Sequence, residues 1–274
     1  MRKIIFCFVL FLSGFSSFSQ FRLGIFGGIS NYQGDMVDKL YKNSGLALGL
    51  TGTFPVSQRF NLRAGITFGK IGGADSLSDQ ADLLARNLSF QSRITEFSVL
   101  GEYNIFNLDQ VRWTPYLFGG LAVFHFDPYT YDQADVKTYL RPLTTEGQGL
   151  PGYASKPYNL TQVSIPFGGG IKYAISEKVH LGLEVGLRKT FTDYLDDVST
   201  GYADPNDLLA GNGPRSVELS YRGDEVGNPI YPVKGFTRGN PDSKDYYYFT
   251  GLHLSFALGG GGGSEKGYGC PKVF

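Results

Sequence analysis

The chain has 274 residues, with 25 Lys and Arg against 25 Asp and Glu, and only 18% of its residues are charged. That density is below the roughly 25% of ordinary soluble proteins, and the balanced signs argue against a polyanion partner such as nucleic acid. The length, with 38 Gly, 22 Phe and 18 Tyr, suits one large β domain.

The chain opens MRKIIFCFVLFLSGFSSFSQ. Arg2 and Lys3 form a basic start, Ile4 to Leu12 a short apolar run, and Ser17 and Ser19 a small-residue cleavage pattern. Residues 1–19 therefore read as a secretory signal peptide cut before Gln20. Cys7 lies inside the apolar run rather than after small residues at its end, which argues against a lipoprotein. Removal of Arg2 and Lys3 leaves the mature chain near neutral. No later segment holds about 18 consecutive apolar residues, so no membrane helix is expected.

From residue 20 to 258, period-two segments follow one another. They are predicted at Phe21 to Ser30, Gly45 to Phe54, Arg59 to Lys70, Phe90 to Phe106, Trp113 to Phe126, Gln162 to Ile175, Lys178 to Phe191 and Asp245 to Leu258. The third sets Phe60, Leu62, Ala64, Ile66 and Phe68 against Asn61, Arg63, Gly65, Thr67 and Gly69. In the seventh, Val179, Leu181, Leu183, Val185 and Leu187 alternate with His180, Gly182, Glu184, Gly186 and Arg188.

The connections alternate too. PVSQ, NLDQVR and little more than Ser176 and Glu177 join strands two to three, four to five and six to seven. The others are long: Asn31 to Ser44, Ile71 to Ser89, Asp127 to Thr161 and Thr192 to Lys244. Short turns alternating with long loops on an even strand count are the mark of an outer-membrane barrel. The expected fold is all-β: an eight-stranded antiparallel transmembrane outer-membrane β-barrel with long extracellular loops and both termini periplasmic. A soluble lipocalin-type barrel would need a charged outer coat. The second face here is mostly Gly, Ala, Ser and Thr, which suits a narrow interior better.

That interior is expected to hold Arg22, Arg63, Lys172 and Arg188 against Glu96, Glu102 and Glu184, nearly cancelling charges that make a plug of ion pairs rather than a channel. Trp113, Tyr173, Tyr246 and Tyr248 are expected in interfacial girdles. His125, His180 and His253 show no metal-ligand spacing, and no GxSxG, HExxH or P-loop occurs. Asp193, Asp196, Asp197, Asp204 and Asp207 crowd the longest loop without the EF-hand order, and read as a solvated acidic loop. No cofactor, metal or catalytic residue is expected.

The last strand, GLHLSF, has the glycine and spaced apolar residues of a signal read by barrel-assembly machinery. After it, residues 259–274 form a Gly-rich tail carrying Cys270. With Cys7 removed, Cys270 has no intramolecular partner, so an intermolecular disulfide or a free thiol follows. A disordered tail with an incidental cysteine is the plainer alternative.

The opening FRLGIFGGISNYQGD, the eight strands and Gly269-Cys270-Pro271 together resemble the PorG-like outer-membrane barrels of Bacteroidota. The resemblance spans the mature chain and implies a non-enzymatic component of the type IX secretion system, which exports adhesins, proteases and gliding-motility proteins. It implies as partners a periplasmic ring lipoprotein (PorK-like) and its ring companion (PorN-like), with Gly269, Cys270 and Pro271 as the contact, beside outer-membrane lipid. A surface receptor or adhesin acting through the long loops is the alternative, and a rim-located hydrolase a more distant one.

Overall fold

The computed structural model describes residues 21–37 and 39–258. The expected signal peptide, the tail and Cys270 lie outside them.

Alternating outward and inward side chains build strands β1 Phe21–Gln33, β2 Gly45–Pro55, β3 Phe60–Ala74, β4 Ser89–Asn104 and β5 Trp113–His125. A small hairpin follows, β6 Tyr129–Tyr131 and β7 Lys137–Tyr139. The series ends with β8 Thr161–Ala174, β9 Val179–Thr190 and β10 Tyr246–Leu258. Eight of these pair antiparallel in sequence order, leaving out the hairpin. The ring closes where β1 meets β10, with Phe21 opposite Leu258 and Gln33 opposite Tyr246. The expected eight-stranded barrel is therefore the observed one, with strand ends moved by at most four residues.

The outer wall is apolar. Leu46, Leu48 and Leu50 of β2, Phe97 and Val99 of β4, Leu117 and Leu121 of β5 and Leu183 and Val185 of β9 are all exposed. Arg63, Glu96, Glu102, Lys172, Glu184 and Arg188 are buried inside. Apolar outside and charged inside inverts a soluble protein, and only lipid makes such a wall favourable. The chain is an integral outer-membrane β-barrel. No described helix is long and apolar enough to cross a membrane.

At the short-turn end the connections are tight. At the other end the long loops fold into a cap with its own elements: helices α1 Ala81–Arg86, α2 Pro205–Asn212 and α3 Pro214–Ser220, and the β6–β7 hairpin. Asp204 starts α2 by accepting a hydrogen bond from Asn206 N, with Pro205 in its first turn. One apolar cluster runs from the barrel mouth into the cap, joining Phe26, Phe90, Phe124 and Phe249 to Met36, Leu140, Leu195, Val198 and Leu219. Along it Phe124, Phe126, Tyr158 and Tyr194 form an aromatic column, the last three stacked within 10° of parallel.

Two expectations are corrected here. The longest loop is not a solvated acidic loop: Asp193, Asp196 and Asp197 are buried in the cap. Asp207 does remain at the surface, paired with Lys234. Tyr248 faces outward on β10 yet is buried, because Tyr41 folds over it edge-on and donates its backbone N–H to the Tyr248 hydroxyl. Trp113 and Tyr173 are exposed and directly opposite on β5 and β8.

Candidate functional site

Two regions concentrate polar chemistry: the barrel interior and the cap above it. Arg63 on β3 reaches Glu184 on β9 through two bonds, Nη1 to Oε2 at 2.7 Å and Nη2 to Oε1 at 3.4 Å. Its Nη1 also lies 3.6 Å from Glu102, which pairs with Lys172 and accepts from Asn61 Nδ2 at 2.9 Å. Tyr116 donates its hydroxyl to Glu184 at 2.8 Å. Nearer the cap, Arg188 binds Glu96 at 3.0 and 3.2 Å, and Tyr247 donates to the same carboxylate at 2.8 Å. Arg22 stands near the short-turn end, donating to the carbonyls of Glu177 and Lys178 and to Ser255.

Aromatic rings share this interior. The guanidinium of Arg63 lies 4.9 Å from the Phe118 ring centre, and that of Arg188 lies 4.3 Å from Phe249. Glycine makes the room. A Cβ on Gly186 would stand 2.5 Å from Arg188 Nη1 and 2.7 Å from Phe118, and one on Gly168 would stand 2.8 Å from that ring. Between the two ion-pair layers the free space is about 20 Å³, bounded by Thr51, Ser98, Leu100 and His253, enough for roughly one water. A second space of about 120 Å³ opens at the short-turn end, beside Arg22, Asn104, His180 and Leu108. Among the described residues the interior is packed, its charges nearly cancel, and little space remains between the two ion-pair layers.

The histidines take separate positions. His253 Nε2 lies 2.7 Å from Thr51 Oγ1 inside the barrel, His125 faces outward beside Thr161, and His180 lines the short-turn space. Among the described residues no group of three or more His, Cys, Asp and Glu is placed to hold a metal ion.

The cap is held by buried ionic contacts that the sequence reading did not anticipate. Glu146, fully buried, accepts from Ser199 N, Thr200 N, the hydroxyls of Thr200 and Tyr194, and Arg238 Nη1. Arg238 also donates to the Asp197 carbonyl at 2.6 Å. Arg86, at the end of α1, makes two 2.7 Å bonds to Asp75 and donates to the Arg238 carbonyl. The Tyr32 hydroxyl lies 2.6 Å from Asp196 and 3.1 Å from Asp245, so two buried carboxyls compete for one phenol proton. Burial pushes both carboxyls well above the usual carboxylate range, and each neighbouring acid adds to the effect. Asp197 is pushed up to about 6 by burial, against the pull of Arg238 and of hydrogen bonds from Thr145 and Tyr158.

Between the first, second and fourth long loops the cap opens a cleft of about 670 Å³. Asp35, Met36, Leu83, Arg86, Tyr202, Tyr221, Ile230, Phe236 and Arg238 contribute to its walls. Its cations are committed to Asp75 and Glu146, so the cleft offers apolar and aromatic surface beside polar side chains that include Asp35, Gln80, Asp82 and Asn240. No nucleophile with an adjacent base stands in it.

A family model described as "Domain of unknown function (DUF6089)" matches residues 1–212. No curated protein matches the chain. Among solved structures, a major outer membrane protein of Thermus thermophilus aligns over 88% of this chain and 99% of its own, at 12% identity and a TM-score of 0.43. The outer membrane protein OprG of Pseudomonas aeruginosa aligns over 87% and 97%, at 11% identity and a TM-score of 0.42. The N-terminal β-barrel domain of OprF from the same organism aligns over 88% and 98%, at 11% identity and a TM-score of 0.39.

Proposed function

We propose a role from two premises: the chain belongs to the DUF6089 family, a domain of unknown function, and it is an integral outer-membrane barrel with a filled interior. It is a non-enzymatic scaffold of a type IX secretion system, anchoring a periplasmic lipoprotein ring of PorK-like and PorN-like subunits to the outer membrane. The observation that carries this reading is the packed lumen with its nearly cancelling charges. A barrel filled in this way, with no nucleophile–base pair among the described residues, is suited to holding rather than transporting.

With the long loops outside, the short turns face the periplasm and β10 delivers the chain there at Leu258. The Gly-rich sequence after it supplies the link to the ring, and Cys270, flanked by Gly269 and Pro271, is the point of attachment. Disulfides persist in that compartment, so the link to the ring lipoprotein is covalent. Deleting residues 259–274 while keeping the barrel tests the reading. Secretion of cargo should stop with the barrel still assembled. Non-reducing electrophoresis should show an adduct with the lipoprotein that Cys270→Ser abolishes. Unimpaired secretion by the deletion would refute the scaffold role.

The ordered cap and its 670 Å³ cleft favour a second reading, a surface receptor or adhesin. That role survives the tail deletion and is lost on placing a charge in the cleft wall, as in Phe236→Asp.

A further inference from the structure

We propose that Lys70 and Arg93 together bind a phosphomonoester lipid headgroup in the leaflet at the long-loop end of the barrel. The two residues are Cα partners on β3 and β4, and both are exposed on the outer wall. Directly opposed residues of antiparallel strands have Cβ atoms only about 5 Å apart, and like charges so placed repel. Among the described residues no ion pair includes either side chain. Two adjacent cations without a carboxylate between them call for an anion from outside the chain.

Their height on the wall says which anion. From the short-turn end, the outward rungs of β3 and β4 run Phe60 with Tyr103, Leu62 with Gly101, Ala64 with Val99, Ile66 with Phe97, Phe68 with Thr95, then Lys70 with Arg93. Ten residues of strand span about 34 Å. At a tilt near 40° they rise about 26 Å, close to the apolar band of roughly 25 Å that such barrels present to lipid. The pair therefore stands where acyl chains end and headgroups begin. The seventh strand of the barrel repeats the spacing: Val179, Leu181, Leu183, Val185 and Leu187 lead, after the same ten residues, to Lys189. Lys189 is opposite Tyr246 and Ile165 rather than a second cation.

Charge selects the headgroup class. A phosphomonoester carries between one and two negative charges near neutral pH, which one guanidinium and one ammonium can match. The planar guanidinium takes two phosphate oxygens at once and the ammonium supplies a point charge. A phosphocholine brings its own cation and gains less from this pair.

Native mass spectrometry of the purified full-length chain tests the proposal, with bisphosphorylated lipid A, phosphatidic acid, phosphatidylcholine and inorganic phosphate as separate probes. Wild type should retain lipid A at least about tenfold better than phosphatidylcholine. Lys70→Gln/Arg93→Gln should lose that preference, while Lys189→Gln, a lone cation at the same height, should keep most of it. Equal strength for phosphatidic acid assigns the site to the phosphomonoester itself; a lipid A preference assigns it to the glycolipid leaflet. Wild type that holds lipid A no better than phosphatidylcholine, or that takes up inorganic phosphate but neither lipid, overturns the proposal whether or not the double variant folds.

Discussion

Arg63 and Glu184 stand on β3 and β9, four strands apart in either direction around the ring, and their side chains meet across its width with Nη1 2.7 Å from Oε2. Both are buried among protein atoms, so neither charge has water to fall back on.

Removing one member strands the other. Arg63→Met should cost about 3–5 kcal/mol, most of it the penalty of leaving Glu184 and Glu102 undercompensated. Adding Glu184→Gln to Arg63→Met should recover much of the loss. Urea unfolding of the barrel in liposomes, followed by its electrophoretic heat-shift, measures both. An unchanged midpoint for Arg63→Met would show that water reaches this layer.

The same packing predicts electrical silence. The space between the ion-pair layers is about 20 Å³, and hydrated ions do not pass through a gap sized for one water. Planar-bilayer recordings of pure protein should show no steady single-channel current. A large, stable conductance would require the Arg63 and Arg188 layers to part, and would remove the main support for a scaffold.

The cap should loosen as pH rises. Asp196 and Asp245 have folded pKa values raised well above the ordinary carboxylate value near 4, and Asp197 is raised to about 6. A carboxyl of this kind binds its proton more tightly folded than unfolded. Its contribution is complete below about pH 4 and is lost as pH climbs through the folded value. Arg86 and Arg238 moderate the loss without reversing it, since the net shifts remain upward. Amide hydrogen exchange of residues 192–245, corrected for intrinsic rate, should be slower at pH 5 than at pH 8. Asp196→Asn should flatten that dependence. Faster exchange at pH 5 would reverse the sign and exclude these groups as its cause.

The barrel was readable because a strand buried on one side and lipid-exposed on the other writes its period directly into the sequence, as from Val179 to Arg188. Alternating loop lengths supplied the closure. The cap was not readable. Asp196 and Asp197 are neighbours in a polar loop, and their contacts with Tyr32, Tyr158 and Thr145 reach 39 or more residues along the chain. Arg86, Arg238 and Glu146 likewise come from three different loops and meet only once those loops stack. Local propensity cannot report such contacts. The Lys70–Arg93 pair lies between: each cation is visible in its own strand, but their adjacency requires the register.

Two leucines of nearly equal exposure test the membrane assignment itself. Leu183 is 54% exposed near the middle of β9, while Leu209 is 51% exposed on α2 in the cap. Accessibility alone treats them alike. In a membrane barrel Leu183 faces hydrocarbon, and Leu183→Arg should cost roughly 2–4 kcal/mol at the bilayer midplane. Leu209 faces water, and Leu209→Arg should change stability by no more than about 0.5 kcal/mol. Reversible unfolding of each variant in liposomes gives the comparison, and each acts as the other's control for a long cation on an exposed site. Were Leu183→Arg as stable as wild type, the apolar wall would not be in contact with lipid, and the barrel would have to be covered by protein instead.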